Sequence, residues 1–247
     1  MIIKDVPLFP LNTVLFPQMF QALQIFEPRY RLMINECLRD DKPFGIVLID
    51  GDFSDAKEDM QGNKLQDSLP PLHRVGTLAK ITDVTRLDDG RMLISTIGTE
   101  RFRLLQYHEE KPYVTADIEL WPDGQLSASS AETDQLVGRV TQVFQNYLDV
   151  LMNIAHKRIE DLDIPEDPAV LSYLIPHWLP QISLEDKQNL LENEDPYKRL
   201  HNELTLLISE TEFLHKIMQH SEETEHGVEN GTGRRSAFNI GKRFSQN

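Results

Sequence analysis

Hydrophobic residues arrive in two regimes. Up to about Leu120 they come in short runs cut by proline, glycine or charged pairs; beyond it they recur every three or four positions. The first regime reads as strands, the second as helices. Strands are expected at Val6–Phe9, Val14–Phe16 and Phe20–Gln24, with changes of direction at Pro10 and Pro17. Proline lacks an N–H for a ladder and holds the residue before it extended, so strands containing it must be short or lie at an edge. Glu27-Pro28 opens a helix whose stripe is Tyr30, Met33, Ile34, Cys37 and Leu38, because proline at a first helical position sacrifices no hydrogen bond.

Phe44–Ile49 is continuously apolar and reads as a strand buried on both faces. Residues 50–73 turn polar and acidic, a length of connection that suggests a mobile or functional loop. Val75–Thr85 and Arg91–Gly98 flank Asp88-Asp89-Gly90, a hairpin signal since glycine takes positive φ freely. Arg101–Tyr107 and Tyr113–Leu120 supply two more strands. Six or seven short strands with sharp corners point to a small closed or half-closed barrel.

Proline, glycine and serine collect between Trp121 and Ser130, where the period changes. The expected organisation is therefore a barrel subdomain over 1–122, a helical bundle over 123–220 and a disordered tail over 221–247. Helices are expected over Ala131–Asn153, from Asp167-Pro168 until Pro176 breaks it, from Ser183, and from Asp195-Pro196. In the last, Leu200, Leu204, Leu207, Thr211, Leu214 and Met218 form a seam for packing against the other helices.

The net charge of −15 opposes general nucleic-acid binding and docking on anionic lipid. A single cysteine, Cys37, forbids an intrachain disulfide and argues against a cysteine-based zinc site. The first residues lack a signal-peptide pattern and no apolar run reaches membrane length, so a cytoplasmic protein is expected.

Chemistry is sparse. There is no Gly-x-x-x-x-Gly-Lys-Ser/Thr phosphate loop, no Gly-x-Gly-x-x-Gly, no His-Glu-x-x-His and no Gly-x-Ser-x-Gly. Ser54-Asp55-Ala56-Lys57 has the Ser-x-x-Lys spacing but falls in the acidic loop. The acid pairs Asp40-Asp41, Asp88-Asp89 and Glu109-Glu110 read as turn or surface residues, since paired acid–base work needs burial to separate two pKa values. No catalytic, cofactor or metal residue is assigned and no enzyme is expected.

The opening stretch carries a further signal. Pro7-Leu8-Phe9-Pro10-Leu11, Val14-Leu15-Phe16-Pro17 and Ile25-Phe26-Glu27-Pro28-Arg29-Tyr30-Arg31 closely resemble the N-terminal, substrate-binding domain of Lon proteases. The likeness continues through Gly45, Gly76, Gly98 and Arg101-Phe102, and into Ser183–Glu192 and Arg199-Leu200. It implies an α+β fold: an N-terminal PUA-like β pseudo-barrel with an inserted helix, followed by a C-terminal α-helical bundle. It also implies binding of unfolded or hydrophobic protein segments, alone or beside a separate protease or chaperone. The chain ends at Asn247, before any ATPase or protease module, so a stand-alone domain without proteolysis is expected. RNA or small-molecule binding is the alternative, since PUA-like folds include RNA binders; peptidase activity is the least favoured.

Among the motif residues, Phe9, Leu11, Leu15, Phe16, Phe26 and Tyr30 are expected in the barrel core, and Gly76 and Gly98 at corners or bulges. Glu27, Arg29 and Arg101 are expected to pair and tie the entry helix to the barrel.

Overall fold

A computed structural model describes residues 1–51, 71–155 and 162–228, without the side chains of 219–228. The strands are β1 (Ile2–Leu11), β2 (Phe20–Ile25), β3 (Phe44–Ile49), β4 (Leu72–Arg86), β5 (Met92–His108) and β6 (Thr115–Leu120). The helices are α1 (Pro28–Asp40), α2 (Ser130–Ala155), α3 (Pro168–His177), α4 (Leu184–Glu192) and α5 (Pro196–Val228). Two units result, one from Met1–Asp123 with Ser183–Glu194, the other from Gly124–Ile182 with Asp195 onward.

In the first unit the sheet order is β2-β5-β4-β3-β1-β6, and β6 also pairs with β5. Five strands thus close into a ring, while β2 hangs on the outside of β5. Closure removes the sheet edges that would otherwise expose unpaired N–H and C=O groups. Val6, Leu8, Val47, Leu78, Phe102, Ala116 and Ile118 form a buried cluster of this ring. The β1–β3 pair is parallel and the others antiparallel.

Of the two expected changes of direction, one occurs. β1 continues through Pro7 and Pro10 and the chain first bends at Asn12-Thr13, whereas Pro17-Gln18 forms a turn, with Gln18 at φ 65° and Met19 N donating to Phe16 O at 3.2 Å. Pro7 is matched with Thr115 of β6 and Pro10 with Val47 of β3. Each lies where β1 has a paired neighbour on one side, so the missing N–H interrupts no second ladder. Val14–Phe16 is not a strand; it is pinned by Thr77 Oγ1, which donates to the Leu15 carbonyl at 2.6 Å. The two expected strands Arg91–Gly98 and Arg101–Tyr107 are one, β5.

Gly98 lies inside that strand, not at a corner. Its N–H donates to Met19 O at 2.9 Å and its carbonyl accepts from Gln18 N at 2.8 Å. A Cβ there would stand 2.3 Å from the Phe16 carbonyl oxygen. Gly76 is likewise a mid-strand residue, and its Cβ would meet Ile46 O at 2.4 Å and the Phe102 ring at 2.6 Å. Gly98 also borders a bulge, as expected: the two steps from Thr77 to Ala79 face the three from Gly98 to Arg101, so the extra residue lies on β5, while the shift between Ile81 and Asp83 lies on β4. Both glycines allow close backbone approach.

Helix starts follow the local signals. Pro28 occupies the first turn of α1, and Asp41 ends it in the left-handed region at φ 48°. Asp167 Oδ1 accepts from Ala169 N and Val170 N, both at 2.9 Å, capping α3, and Ser183 caps α4 through Asp186 N. Pro176 does not break α3; it sits in the last turn, and the helix reaches His177. In the second unit α5 packs against α2 and α3, and Leu200, Leu204, Leu207, Thr211 and Leu214 are buried. α5 also runs on to Val228, into the segment expected to be a tail. Ser221–Val228 is rich in glutamate, with no proline and no glycine before Gly227, so one hydrogen bond per residue carries the helix forward. The acidic stretch 52–70, with Ser54 and Lys57, and the rest of the expected tail, 229–247, lie outside the described residues.

Candidate functional site

β2, β5 and β4 form a three-stranded ribbon whose two faces differ. Register aligns Phe20 with Ile97 and Lys80, Ala22 with Ser95 and Asp83, and Gln24 with Leu93 and Thr85. Directly opposed residues point to the same side of a sheet, so these nine share one face. It is the outer face: Phe20 is 65% exposed and Leu93 44%. The opposite face carries Leu23, Ile25, Met92 and Ile94, of which Ile25, Met92 and Ile94 are buried.

α1 is tied to this ribbon by two polar contacts. Arg31 Nη1 donates to Gly90 O at 3.1 Å, and Arg86 Nη2 donates to Asn35 Oδ1 at 2.8 Å. Gly90 has φ +82°, and the turn is closed by Gly90 N to Leu87 O and Leu87 N to Arg91 O, both 2.9 Å. Asp89 accepts from both the backbone and the guanidinium of Arg91, which holds its carboxyl below the ordinary carboxylate range. The ribbon is therefore a fixed platform with apolar rows and an outer edge: among the described residues, β2 pairs with no strand except β5. Phe26, expected in the core, is instead 62% exposed just beyond β2. Ile25 takes the buried position beside Met92, and the chain turns into α1 immediately after Phe26.

The remaining motif residues divide by role. Phe9 is buried, its ring 4.3 Å from Tyr30 and 6.2 Å from Phe44. Burial pushes the Tyr30 hydroxyl up, with Arg29 offsetting part of the shift. Pro10, Phe16, Pro17, Gly45, Gly76, Gly98 and Phe102 are buried, whereas Pro7 and Leu11 are half-buried. Gly45 is another close approach, with Leu8 and Phe102 where its Cβ would be.

The expected Glu27–Arg29–Arg101 cluster does not form. Glu27 and Arg29 pair locally at 2.8 Å in largely solvated positions. Arg101, only 2% exposed, turns the other way. Its Nη1 donates to Leu191 O at 2.6 Å and Asn193 O at 3.0 Å, and its Nη2 to Asp123 Oδ1 at 2.7 Å. A cation thus caps the C-terminal carbonyls of α4, the end where a helix dipole favours positive charge. Trp121 lies beneath, its ring 4.8 Å from the Arg101 guanidinium and 3.8 Å from that of Arg103, while its indole N–H donates to Glu194. Gln188 adds a bond to Val75 O at 3.0 Å. These contacts explain why α4, expected in the bundle, belongs to the β unit. Sequence reasoning missed Asp123, Gln188 and Trp121, since their partners lie tens of residues away; an arginine inside an otherwise buried strand was the available sign.

Two further groups of reactive side chains lie among the described residues. Cys37 is on the buried face of α1, and desolvation pushes its thiol up to about 11, away from nucleophilic use. Asp5, His108 and Asp117 bring three potential cation ligands within 4.8 Å of one another. Asp117 Oδ1 already accepts from Asp5 N at 3.2 Å and faces His108 Nε2 at 3.4 Å. The group reads as a hydrogen-bonded brace at the β1–β6 bulge.

Comparison with known proteins completes the description. The ATP-dependent protease La (LON) substrate-binding domain family matches residues 5–209. Lon protease 1 of Thermus thermophilus is 29% identical over 215 residues, 84% of this chain and 25% of that protein. Lon protease of Syntrophus aciditrophicus is 26% identical over 204 residues, 82% of this chain and 25% of that protein. The chain thus spans about a quarter of the length of the curated relatives it matches. A crystal structure of a Lon N-terminal domain protein from Xanthomonas campestris aligns with TM-score 0.58 at 25% identity, over 82% of this chain and 98% of that one. The N-terminal domain of Mycobacterium avium complex Lon protease shares the fold at TM-score 0.57 and 19% identity, over 85% of this chain and 98% of that one. No helix among the described residues is long and apolar enough to cross a membrane.

Proposed function

This chain belongs to the Lon substrate-binding-domain family, and from that premise we propose that it is a non-catalytic module that binds unfolded or hydrophobic protein segments. The observation that carries the reading is the outer face of the β2–β5–β4 ribbon, where Phe20 and Leu93 stand exposed on a platform fixed by α1. Large apolar side chains held in solvent on a rigid sheet cost solubility, and such exposure points to an interaction surface. The closed ring of β1, β3, β4, β5 and β6 supports describing the first unit as a PUA-like pseudo-barrel. The second unit is its helical companion. Acting as an adaptor that presents clients to a separate protease, or as a chaperone-like holdase, is the role such a module fills; the place of work is the cytoplasm.

The test is a binding titration of the full chain against one protein in two states, native and reduced with its cysteines carboxymethylated so that it stays unfolded. Selective binding of the unfolded form, weakened at least fivefold by Phe20→Ser with Leu93→Ser, is the expected result. Equal affinity for both states overturns the reading.

A further inference from the structure

The ribbon has two kinds of unused capacity, and they lie side by side. One is the apolar outer face already described. The other is the free long edge of β2, six residues of extended backbone whose only strand partner among the described residues is β5. An unpaired strand edge is a template for a further strand, and every second side chain of that strand falls on the same face as Phe20, Ala22 and Gln24. Native proteins usually blunt such edges with charge, proline or a covering element. β2, with sequence Phe-Gln-Ala-Leu-Gln-Ile, carries no charge and no proline.

Charge selects what can approach. The chain has a net charge of −15. On the ribbon, Asp83 shares the row of Ala22 and Ser95, and Asp88 stands at the hairpin tip. Neither forms an ion pair among the described residues, and both are exposed, whereas Asp89 is held by Arg91. Lys80 is the one cation on this face.

Resting on the reading of the ribbon as a client-binding surface, we propose that clients dock by strand addition along the free edge of β2. The occupant is an extended segment of an unfolded chain, with apolar side chains at every second position and lysine or arginine at its flanks. Its backbone amides complete the open edge, its alternate apolar residues lie beside Phe20, Ala22 and Gln24, and its cations meet the negative field of a chain with net charge −15. The hydrogen-bonded edge makes binding tolerant of sequence, while the alternation and the charge give it selectivity.

The experiment uses the full chain and labelled synthetic nine-residue peptides, read by fluorescence polarisation. The parent peptide alternates valine with threonine and has lysine at both ends; a second has glutamate at both ends. Two more carry N-methyl groups on alternate amides, one set in each register, because an edge strand presents only every second N–H to its neighbour. The expected result is tenfold weaker binding for the glutamate peptide, a gap that narrows as salt is raised. Methylation in one register weakens binding tenfold and in the other leaves it unchanged. Equal tolerance of methylation in both registers overturns strand addition, and equal affinity for both charge types overturns the charge assignment. The chain's own residues 234–244, Arg-Arg-Ser-Ala-Phe-Asn-Ile-Gly-Lys-Arg-Phe, have the same chemistry. If deleting residues 229–247 tightens peptide binding tenfold, that segment is the resident occupant and assignment to a foreign client is overturned. An unfolded protein that binds while methylation has no effect refutes the docking mode alone; no binding of any unfolded protein refutes the function it rests on.

Discussion

The two units of this chain keep buried charge in different settings. Buried hydroxyls reach backbone carbonyls in both, as Thr77 to Leu15 and Thr211 to Leu207, while the buried cation of the β unit, Arg101, reaches Leu191 O, Asn193 O and the Asp123 carboxylate. In the helical unit, Arg199 is wholly buried, its Nε donating to Ser172 Oγ at 3.0 Å and its guanidinium 4.2 Å from the Tyr173 ring. One turn on, Glu203 is equally buried, and neither carboxyl oxygen has a hydrogen-bond partner. A helical seam has enclosed an acid that stays there most easily as a neutral carboxyl.

Four substitutions probe that contrast. The largest effect is expected at Arg101. Arg101→Met leaves Asp123 without its cation and the end of α4 uncapped, at a cost of about 3–5 kcal/mol. Thermal denaturation should show a markedly lower midpoint, and far-UV circular dichroism at intermediate temperature should show early loss of helix. A midpoint within error of the parent would show that α4 is held by apolar packing instead.

Next come the glycines, which divide by unit. Gly98→Ala forces a Cβ against the Phe16 carbonyl, a backbone atom with no rotamer to yield, and should cost about 2–3 kcal/mol. Gly138, inside α2, has nothing within 4 Å of its Cβ position. Gly138→Ala should therefore stabilise by about 0.5–1 kcal/mol, through helix propensity and a less disordered unfolded chain. Urea titration of both variants checks the opposite signs; equal signs would break the distinction between the units.

The smallest effect depends on pH. Burial raises the Glu203 carboxyl well above the ordinary carboxylate range, with Arg199 offsetting part of the shift. The unfolded chain ionises this residue near its ordinary value of about 4.3, so its contribution to stability is fully present below that pH. It is lost as pH rises through the folded value. Glu203→Gln removes the titration, and its melting temperature relative to the parent should climb between pH 5 and 8, by the equivalent of about 1 kcal/mol. Parallel melting curves across that range would show that Glu203 remains ionised and balanced by Arg199.

Much of the local structure was legible in the chain. Pro28, Asp167-Pro168, Ser183 and Asp195-Pro196 mark helix starts within a residue of where they fall, because caps and first-turn prolines act on neighbouring backbone. Asp88-Asp89-Gly90 marks the hairpin for the same reason. Phe26 shows the limit: an aromatic in an apolar run looks like core, yet Ile25 fills the interior and Phe26 faces solvent. The candidate ribbon was unreadable for a related cause. Phe20, Leu93 and Ile97 become one surface only through the β2–β5 register, and each alone is an ordinary strand residue.

By itself, then, the sequence determined which stretches are helical, where those helices start, where the hairpin turns, and the family, because proline, glycine, caps and hydrophobic period act over a few residues. Only the tertiary structure decided that β6 closes the ring, that β2 keeps a free edge, that Arg101 holds α4, and that Gly76 and Gly98 are points of close approach. Those outcomes depend on partners far apart in the chain, as between Arg101 and Asn193, 92 residues apart. A periodic pattern states which side of an element is buried; it does not state what lies against it.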